Sequence, residues 1–518
     1  MKILRYITIA TVLLTLGSCE KFLDKNPDSR VELDSPDKVA KLLVNAYPST
    51  TPAVIAELSS DNVDDMINHR RGNLFTEELV YWKKELHEYG TKDGLRELWN
   101  DHYSVIYTCN VAINAIKELQ KTAKDKATQD QLKASLGEAL VSRAYAHFVL
   151  VNLFGKPYNP QTSSTDLGVP YVEIPLEEFK AELPRNTVAE VYKKIAEDLQ
   201  QGLPLIDDNS YKVPKFHFNK RAANAFAARF YLYHQDFAKA EEHATNALGD
   251  NPTLRNYKAF SAISADDPHA KEYTRDDVEA NLMLIAVETN GYAVLEQNSP
   301  FRFTHGRPLA QRETFLSEGN PWVNEYKDKV FYKADAEKDR YVYTKYPVYP
   351  NKTQLVLFNT EETLLVRAEA KILQGKNTEG LKDMNLFLGN YLEQGEQGDQ
   401  LDEARVVNTY KRLPYSSYDT NTLVSRANQK KRLSPSFTIA DETQECLLHC
   451  LLQCRRLLTL NEGLRWYDIR RYGIEIYRHE LHLDGSSKIV AVLTKDDNRR
   501  TFPIPADVVA AGMKDNPR

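Results

Sequence analysis

Three carboxylates crowd into one short stretch, at Asp61, Asp64 and Asp65, and two histidines stand three apart at His479 and His482. Paired carboxylates could serve as acid and base on a glycosidic bond, the chemistry of a surface glycan hydrolase, and spaced histidines could hold a metal. Their settings argue otherwise. The aspartates form a short acidic loop without any accompanying catalytic signature, which reads as a solvated loop or a ligand contact. A helical zinc site needs histidines four apart, so that both ligands and a base share one face. There is no Gly-x-Ser-x-Gly and no Gly-rich phosphate loop. No catalytic residue, metal ligand or cofactor is assigned.

Cys446, Cys450 and Cys454 recur every fourth residue among Leu447, Leu448, Leu451 and Leu452, so they share one helical face. Metal ligands must converge on a point, whereas this stripe climbs about 6 Å per step along a helix. Buried small apolar cysteines are the better reading, and disulfides along one helix have poor geometry.

Binding chemistry is better served by aromatic rings set in polar loops, because a large ring there needs a partner. Tyr81 with Trp82, and Trp322 beside Asn320 in Glu-Gly-Asn-Pro-Trp, are the leading ligand candidates, with a local loop anchor as the other reading for each pair. Tyr292, Phe301 and Phe303 come next, while Tyr341, Tyr343, Tyr346 and Tyr349 read as a strand or edge. Trp99, Tyr103 and Asn110 share one helix face and are assigned to packing. The chain carries 29 Tyr against 19 Phe and 4 Trp, and amphipathic rings suit wet recognition surfaces for sugar or peptide.

The elements that hold these residues follow a signal. Lys2 and Arg5 precede an apolar run from Ile7 to Leu16, too short to span a bilayer, and Leu16-Gly17-Ser18-Cys19 resembles a bacterial lipobox. Residues 1–18 are expected to be removed and Cys19 lipidated, followed by a tether over 19–33. Losing Lys2 and Arg5 makes the formal net charge of −6 two units more negative, and no basic excess points to nucleic acid.

Residues 34–518 read as mainly α. Helices are expected over 36–46, 93–120, 129–153, 187–203, 219–234, 236–249, 361–374, 378–393 and 441–462, with loop-rich insertions at 61–91, 155–185, 251–360 and 395–440. Ala228, Tyr231, Ala240, Ala244, Ala247 and Pro252 match the spacing of a 34-residue tetratricopeptide unit, in which small residues let two antiparallel helices approach closely. A weaker copy over 361–391 places Ala368 and Gly380 at its closest-approach positions, and 129–153 with 187–203 is a third candidate pair. Several such units must stack to bury their faces, giving a tetratricopeptide-like α-α superhelix with minor strands.

Four stretches together resemble one family, the SusD/RagB-like outer-membrane nutrient-uptake lipoproteins of Bacteroidetes-type bacteria. They are CEKFLDKNP after the lipobox, EALVSRAYAHFVLVNLFGKPY with GVPYVEI, RRLLTLNEGLRWYDIRRYG, and FPIPADVVAAGMKDNP. Cys454 and Leu458 depart from the pattern where glutamates are common, and the closing Gly-Tyr is missing. The block with Glu462, Gly463, Arg465, Trp466, Asp468, Arg471 and Gly473 reads as structural: Gly463 for a positive φ at a helix C-terminus, Trp466 as anchor, and the charges as a network around it.

The resemblance implies a non-catalytic capture protein, lipid-anchored at the outer membrane and exposed at the surface. Its partner would be a SusC-like TonB-dependent transporter. Its cargo would be an oligosaccharide or, in some branches, a peptide, held on the loop-rich side while the tetratricopeptide side faces the transporter.

Overall fold

The computed structural model of the chain describes residues 32–518 apart from 68–71, 85, 88–91, 176–182, 258–272, 292–293, 296–301, 316, 318, 323–352, 393–399, 423–424 and 483. The signal, Cys19, Tyr292, Phe301 and the four tyrosines between 341 and 349 lie outside the described residues.

The helices in chain order begin with α1 (Pro36–Leu43), α2 (Ala53–Ser59), α3 (Leu74–Val80), α4 (Leu95–Thr122) and α5 (Lys126–Phe154). Next come α6 (Val188–Gly202), α7 (Lys220–Tyr233), α8 (Phe237–Leu248), α9 (Arg307–Arg312) and α10 (Thr360–Leu373). The last are α11 (Asn377–Tyr391), α12 (Glu403–Lys411), α13 (Glu442–Leu458), α14 (Leu464–Arg471) and α15 (Ala506–Ala510). Side-chain caps fix several starts where the sequence places them. Thr187 and Glu190 form a reciprocal capping box on α6, Asn219 caps α7, Asp236 caps α8 and Asn359 caps α10. Helix α5 is buried on every side from Ala139 to Phe154, as befits the central rod of the stack.

The expected pairs form. Helices α4, α5 and α6 pack in succession; α7 pairs with α8, α8 meets α10, and α10 pairs with α11 and with α13. Ala228, Ala240, Ala244 and Ala247 are buried between α7 and α8, and the Tyr231 ring stacks on His243 at 5.2 Å. The α5–α6 pair is equally tight, because a Cβ on Gly137 would lie 2.9 Å from the Gly202 carbonyl oxygen. This is a mainly helical, tetratricopeptide-like architecture.

At Gly380 an added Cβ would stand 2.5 Å from Ile372 Cγ1 and 3.0 Å from the Ala368 carbonyl oxygen. Gly380→Ala gains about 1 kcal/mol of helix propensity but overpacks the α10–α11 contact by about 1–3 kcal/mol. A net loss of stability is expected, read from the urea midpoint; a rise in that midpoint would show that the two helices can part freely.

Most helix boundaries shift by up to three residues from the sequence reading, and one departs further. The expected helix over 441–462 ends at Leu458, and α14 restarts after Asn461 (φ 66°) and Gly463 (φ 76°). The Glu57 carboxylate of α2 accepts from the backbone N–H groups of Asn461 at 2.9 Å and Gly463 at 3.1 Å, locking a turn where periodicity alone would continue. Gly463 therefore takes its positive φ at the start of a helix, where a Cβ would meet Ala53 Cα at 2.8 Å.

The loop-rich stretches carry short elements of their own. Strands β1 (Asp64–Met66), β2 (Asn281–Val287), β3 (Phe303–Thr304), β4 (Thr353–Asn359), β5 (Ile476–Leu481) and β6 (Ser487–Leu493) form two sheets. One has the order β3-β1-β5-β6, with β1 antiparallel to β3 and parallel to β5; the other is the antiparallel ribbon β2-β4. The packing assignment of Trp99, Tyr103 and Asn110 agrees with their positions. Trp99 is buried, the Tyr103 hydroxyl donates to the Pro170 carbonyl, and Asn110 links Arg143 to the Val172 and Ile174 carbonyls.

Candidate functional site

Successive strand residues point to opposite faces of a sheet, and β1 uses this to serve two clusters. Asp64 turns to one side and receives the Arg426 fork at 2.7 and 3.1 Å. Asp65 turns to the other and receives both Arg302 Nε and Nη2 at 2.9 Å, together with a short hydrogen bond from the Tyr81 hydroxyl. Just upstream, Asp61 accepts a bidentate pair from Arg465, both bonds at 2.8 Å, and Arg456 donates to its carbonyl at 2.6 Å.

Glu313 joins the first cluster through Arg456 at 2.9 Å and through a short bond from Arg426. Burial would raise the Asp61 carboxyl, but the Arg456 and Arg465 guanidiniums outweigh it and hold Asp61 well below the usual carboxylate range. Glu313 is depressed in the same way, with Arg426, Lys431 and Arg456 overcoming its burial. Lowered in this way, Asp61 and Glu313 are poor proton donors at neutral pH, which argues against either as the acid of a glycosidase. His479 lies on β5 rather than on a helix, where burial lowers it to about 4, and its Nε2 pairs with Asn421.

The charge network read around Trp466 divides in two. Asp468 pairs with Arg455 at 3.0 Å and Arg471 at 2.7 Å, with Glu369 on the far side of Arg471, whereas Arg465 leaves the group for Asp61. Trp466 is fully buried. The cysteine stripe is buried within α13, all thiols free.

The expected aromatic candidates part company. Trp82 is 2 % exposed: it sits in the left-handed region at φ 49°, donates from Nε1 to the Ser59 carbonyl, and covers the Arg478 guanidinium at 4.8 Å. It is a loop anchor, and its ring is closed to a ligand. Arg478 in turn bonds the carbonyls of Val80, Val63 and Ser60, so the pair ties the ends of α2, β1 and α3 together. The turn leaves Tyr81 half-buried, its ring edge-on to Phe303 at 6.1 Å. Phe303 is itself buried.

A line of contacts leads from there to the second aromatic candidate. His305, two residues on, bonds Thr314 at 2.9 Å, and the Thr314 carbonyl accepts from the Asn320 amide at 2.8 Å. Asn320 is buried, with its Oδ1 held by Gln453 at 2.9 Å, so it shapes the wall rather than offering a free amide. Trp322 is half-buried, and its Nε1 has no hydrogen-bond partner among the described residues.

Asn320 and Gln453 wall a polar cleft of about 80 Å³, whose lining includes Tyr410, Lys430, Lys431 and His449. A second, mainly apolar cavity of about 90 Å³ lies among Tyr145, Phe148, Tyr233 and Tyr467 on the helical side and contains none of the expected residues. The sequence reading missed Arg302, Arg426, Lys430 and Lys431. The run Lys430-Lys431-Arg432 inside the 395–440 insertion was the available signal.

Comparison with known proteins bears on the whole arrangement. Residues 21–232 match a family model described as SusD-like, starch-binding and associating with the outer membrane. SusD-like protein P38 of Formosa agariphila is 23% identical over 536 aligned positions, which cover 91% of this chain and 92% of that protein. Among solved structures, a SusD superfamily protein of Bacteroides thetaiotaomicron superposes with a TM-score of 0.64 at 19% identity, over 93% of this chain and 100% of that one. A SusD-like carbohydrate binding protein of Bacteroides vulgatus gives 0.58 at 14% identity, over 92% and 96%. Residues 21–232 thus carry the sequence pattern of the SusD-like family, and the chain shares the fold of the solved SusD superfamily proteins.

Proposed function

We propose that this protein is a cell-surface lipoprotein, anchored through Cys19, that captures oligosaccharides and delivers them to a SusC-like TonB-dependent transporter in the outer membrane. It makes and breaks no bond. The observation that carries the reading is Trp322, a half-buried indole whose Nε1 has no partner among the described residues, two residues from an asparagine in the wall of a polar cleft. An amphipathic ring and fixed polar groups are what sugar rings need, the apolar face stacking and the hydroxyls finding donors and acceptors. Tyr81, held by Asp65 on the far face of β1, supplies a second half-buried ring. The family description as starch-binding and the carbohydrate-binding relative support the same class of cargo.

Calorimetric titration with host, plant and fungal glycans and a peptide digest tests the reading. Binding to glycans without turnover is expected. Trp322→Ala should weaken that binding by about 0.5–1.5 kcal/mol while the melting temperature stays put. A large fall in melting temperature would make Trp322 a core residue, and binding confined to the peptide digest would replace the cargo.

A further inference from the structure

Four cations share three carboxylates around the polar cleft. Arg426, Arg456, Arg465 and Lys431 face Asp61, Asp64 and Glu313, all of these except Lys431 buried. The guanidiniums of Arg426 and Arg456 are occupied within the network by charge-assisted hydrogen bonds. The lysines differ. Lys431 Nζ stands 3.5 Å from Glu313 and 3.9 Å from Asp61, beyond a good hydrogen bond to either, and its side chain is 22% exposed.

Lys430, only 6% exposed, has no carboxylate within ion-pairing distance among the described residues, and its ammonium rests 4.6 Å from the centre of the Tyr415 ring. Glu445, an acid that feels its charge, is already taken by the Tyr415 hydroxyl at 2.6 Å and by His449 at 3.5 Å. Gln429, beside it in the lining, has an Oε1 without a partner among the described residues and can accept from a hydroxyl. A buried cation in excess of its acids is unfavourable unless an anion completes the set.

We infer that the cleft receives one anionic substituent of an acidic glycan, a carboxylate or a sulfate ester, with Lys430 and Lys431 as its cationic partners. At about 80 Å³ the space suits a substituent rather than a sugar ring, which would lie outside it. This rests on the proposed capture of glycans and narrows it.

The test is calorimetry on the purified protein with tetragalacturonate, a chondroitin sulfate tetrasaccharide, the desulfated tetrasaccharide and neutral maltotetraose, at low and high salt. An acidic ligand should bind, lose affinity as salt rises, and lose about tenfold with Lys430→Gln at an unchanged melting temperature. The tetragalacturonate and sulfated arms separate carboxylate from sulfate. Should Lys430→Gln fail to fold, Lys431→Gln gives the same readout. Maltotetraose bound as tightly as any acidic ligand, with Lys430→Gln silent, would overturn the inference and leave glycan capture standing. Binding of polyglutamate with no glycan bound would overturn both.

Discussion

Asp61→Ala is expected to remove about 3–5 kcal/mol of stability, enough to leave little folded protein at 37 °C. The carboxylate is buried, accepts two bonds from Arg465 and lies 3.5 Å from Arg456 and 3.9 Å from Lys431. Its removal strands the buried Arg465 guanidinium, which donates two bonds to Asp61. An exposed pair would count for only about 0–1 kcal/mol, so the size of the loss distinguishes a sealed network from a screened one.

The same group sets an acid dependence. A carboxyl whose folded pKa is depressed contributes stability above its unfolded value, and loses that contribution as pH falls through the folded one. The unfolded values are about 3.9 for Asp61 and about 4.3 for Glu313. Both are lowered in the fold, so stability should hold near neutrality and decline as pH drops below about 5. Urea midpoints across that range measure it. Asp61→Asn should flatten the decline as well as lower the plateau, and a variant that stays within about 1 kcal/mol at every pH would show that solvent reaches the network.

What the sequence disclosed and what it hid divide along sequence separation. Helix periodicity and the small-residue spacing of Ala228, Ala240, Ala244, Ala247 and Gly380 are local, and they predicted the α7–α8 and α10–α11 pairs nearly to the residue. Long-range partners were invisible. Arg465 meets Asp61 across 404 positions, so its place in the Asp468 group looked natural from neighbours alone. Trp82 looked like a costly ring in a polar loop because its partner, Arg478, lies on β5 at the other end of the chain. The early end of α13 has the same origin, a Glu57 side chain that captures two backbone N–H groups about 400 residues away. For the candidate site, the chemistry of Trp322 and Asn320 could be guessed from their types. The cation excess could not, since it depends on which arginines the acids have already taken.

Cys19→Ala should move the protein from the membrane to the soluble fraction. On the proposed anchoring, the acyl chains on Cys19 are the strong hold, and no helix among the described residues is long and apolar enough to cross a bilayer. Each buried methylene contributes about 0.8 kcal/mol, and a single chain binds only reversibly, so the several chains of a processed lipobox separate stable anchoring from drift. Without the thiol there is nothing to acylate, and the expected change is nearly all-or-none. Contact with a transporter could mask it, because a bound partner would hold unlipidated protein at the membrane. Fractionation is therefore done in cells with and without the partner barrel. Release in both would assign the hold to the lipid, and release only where the barrel is absent would divide it between lipid and barrel. Full retention in both would sink the anchor at Cys19.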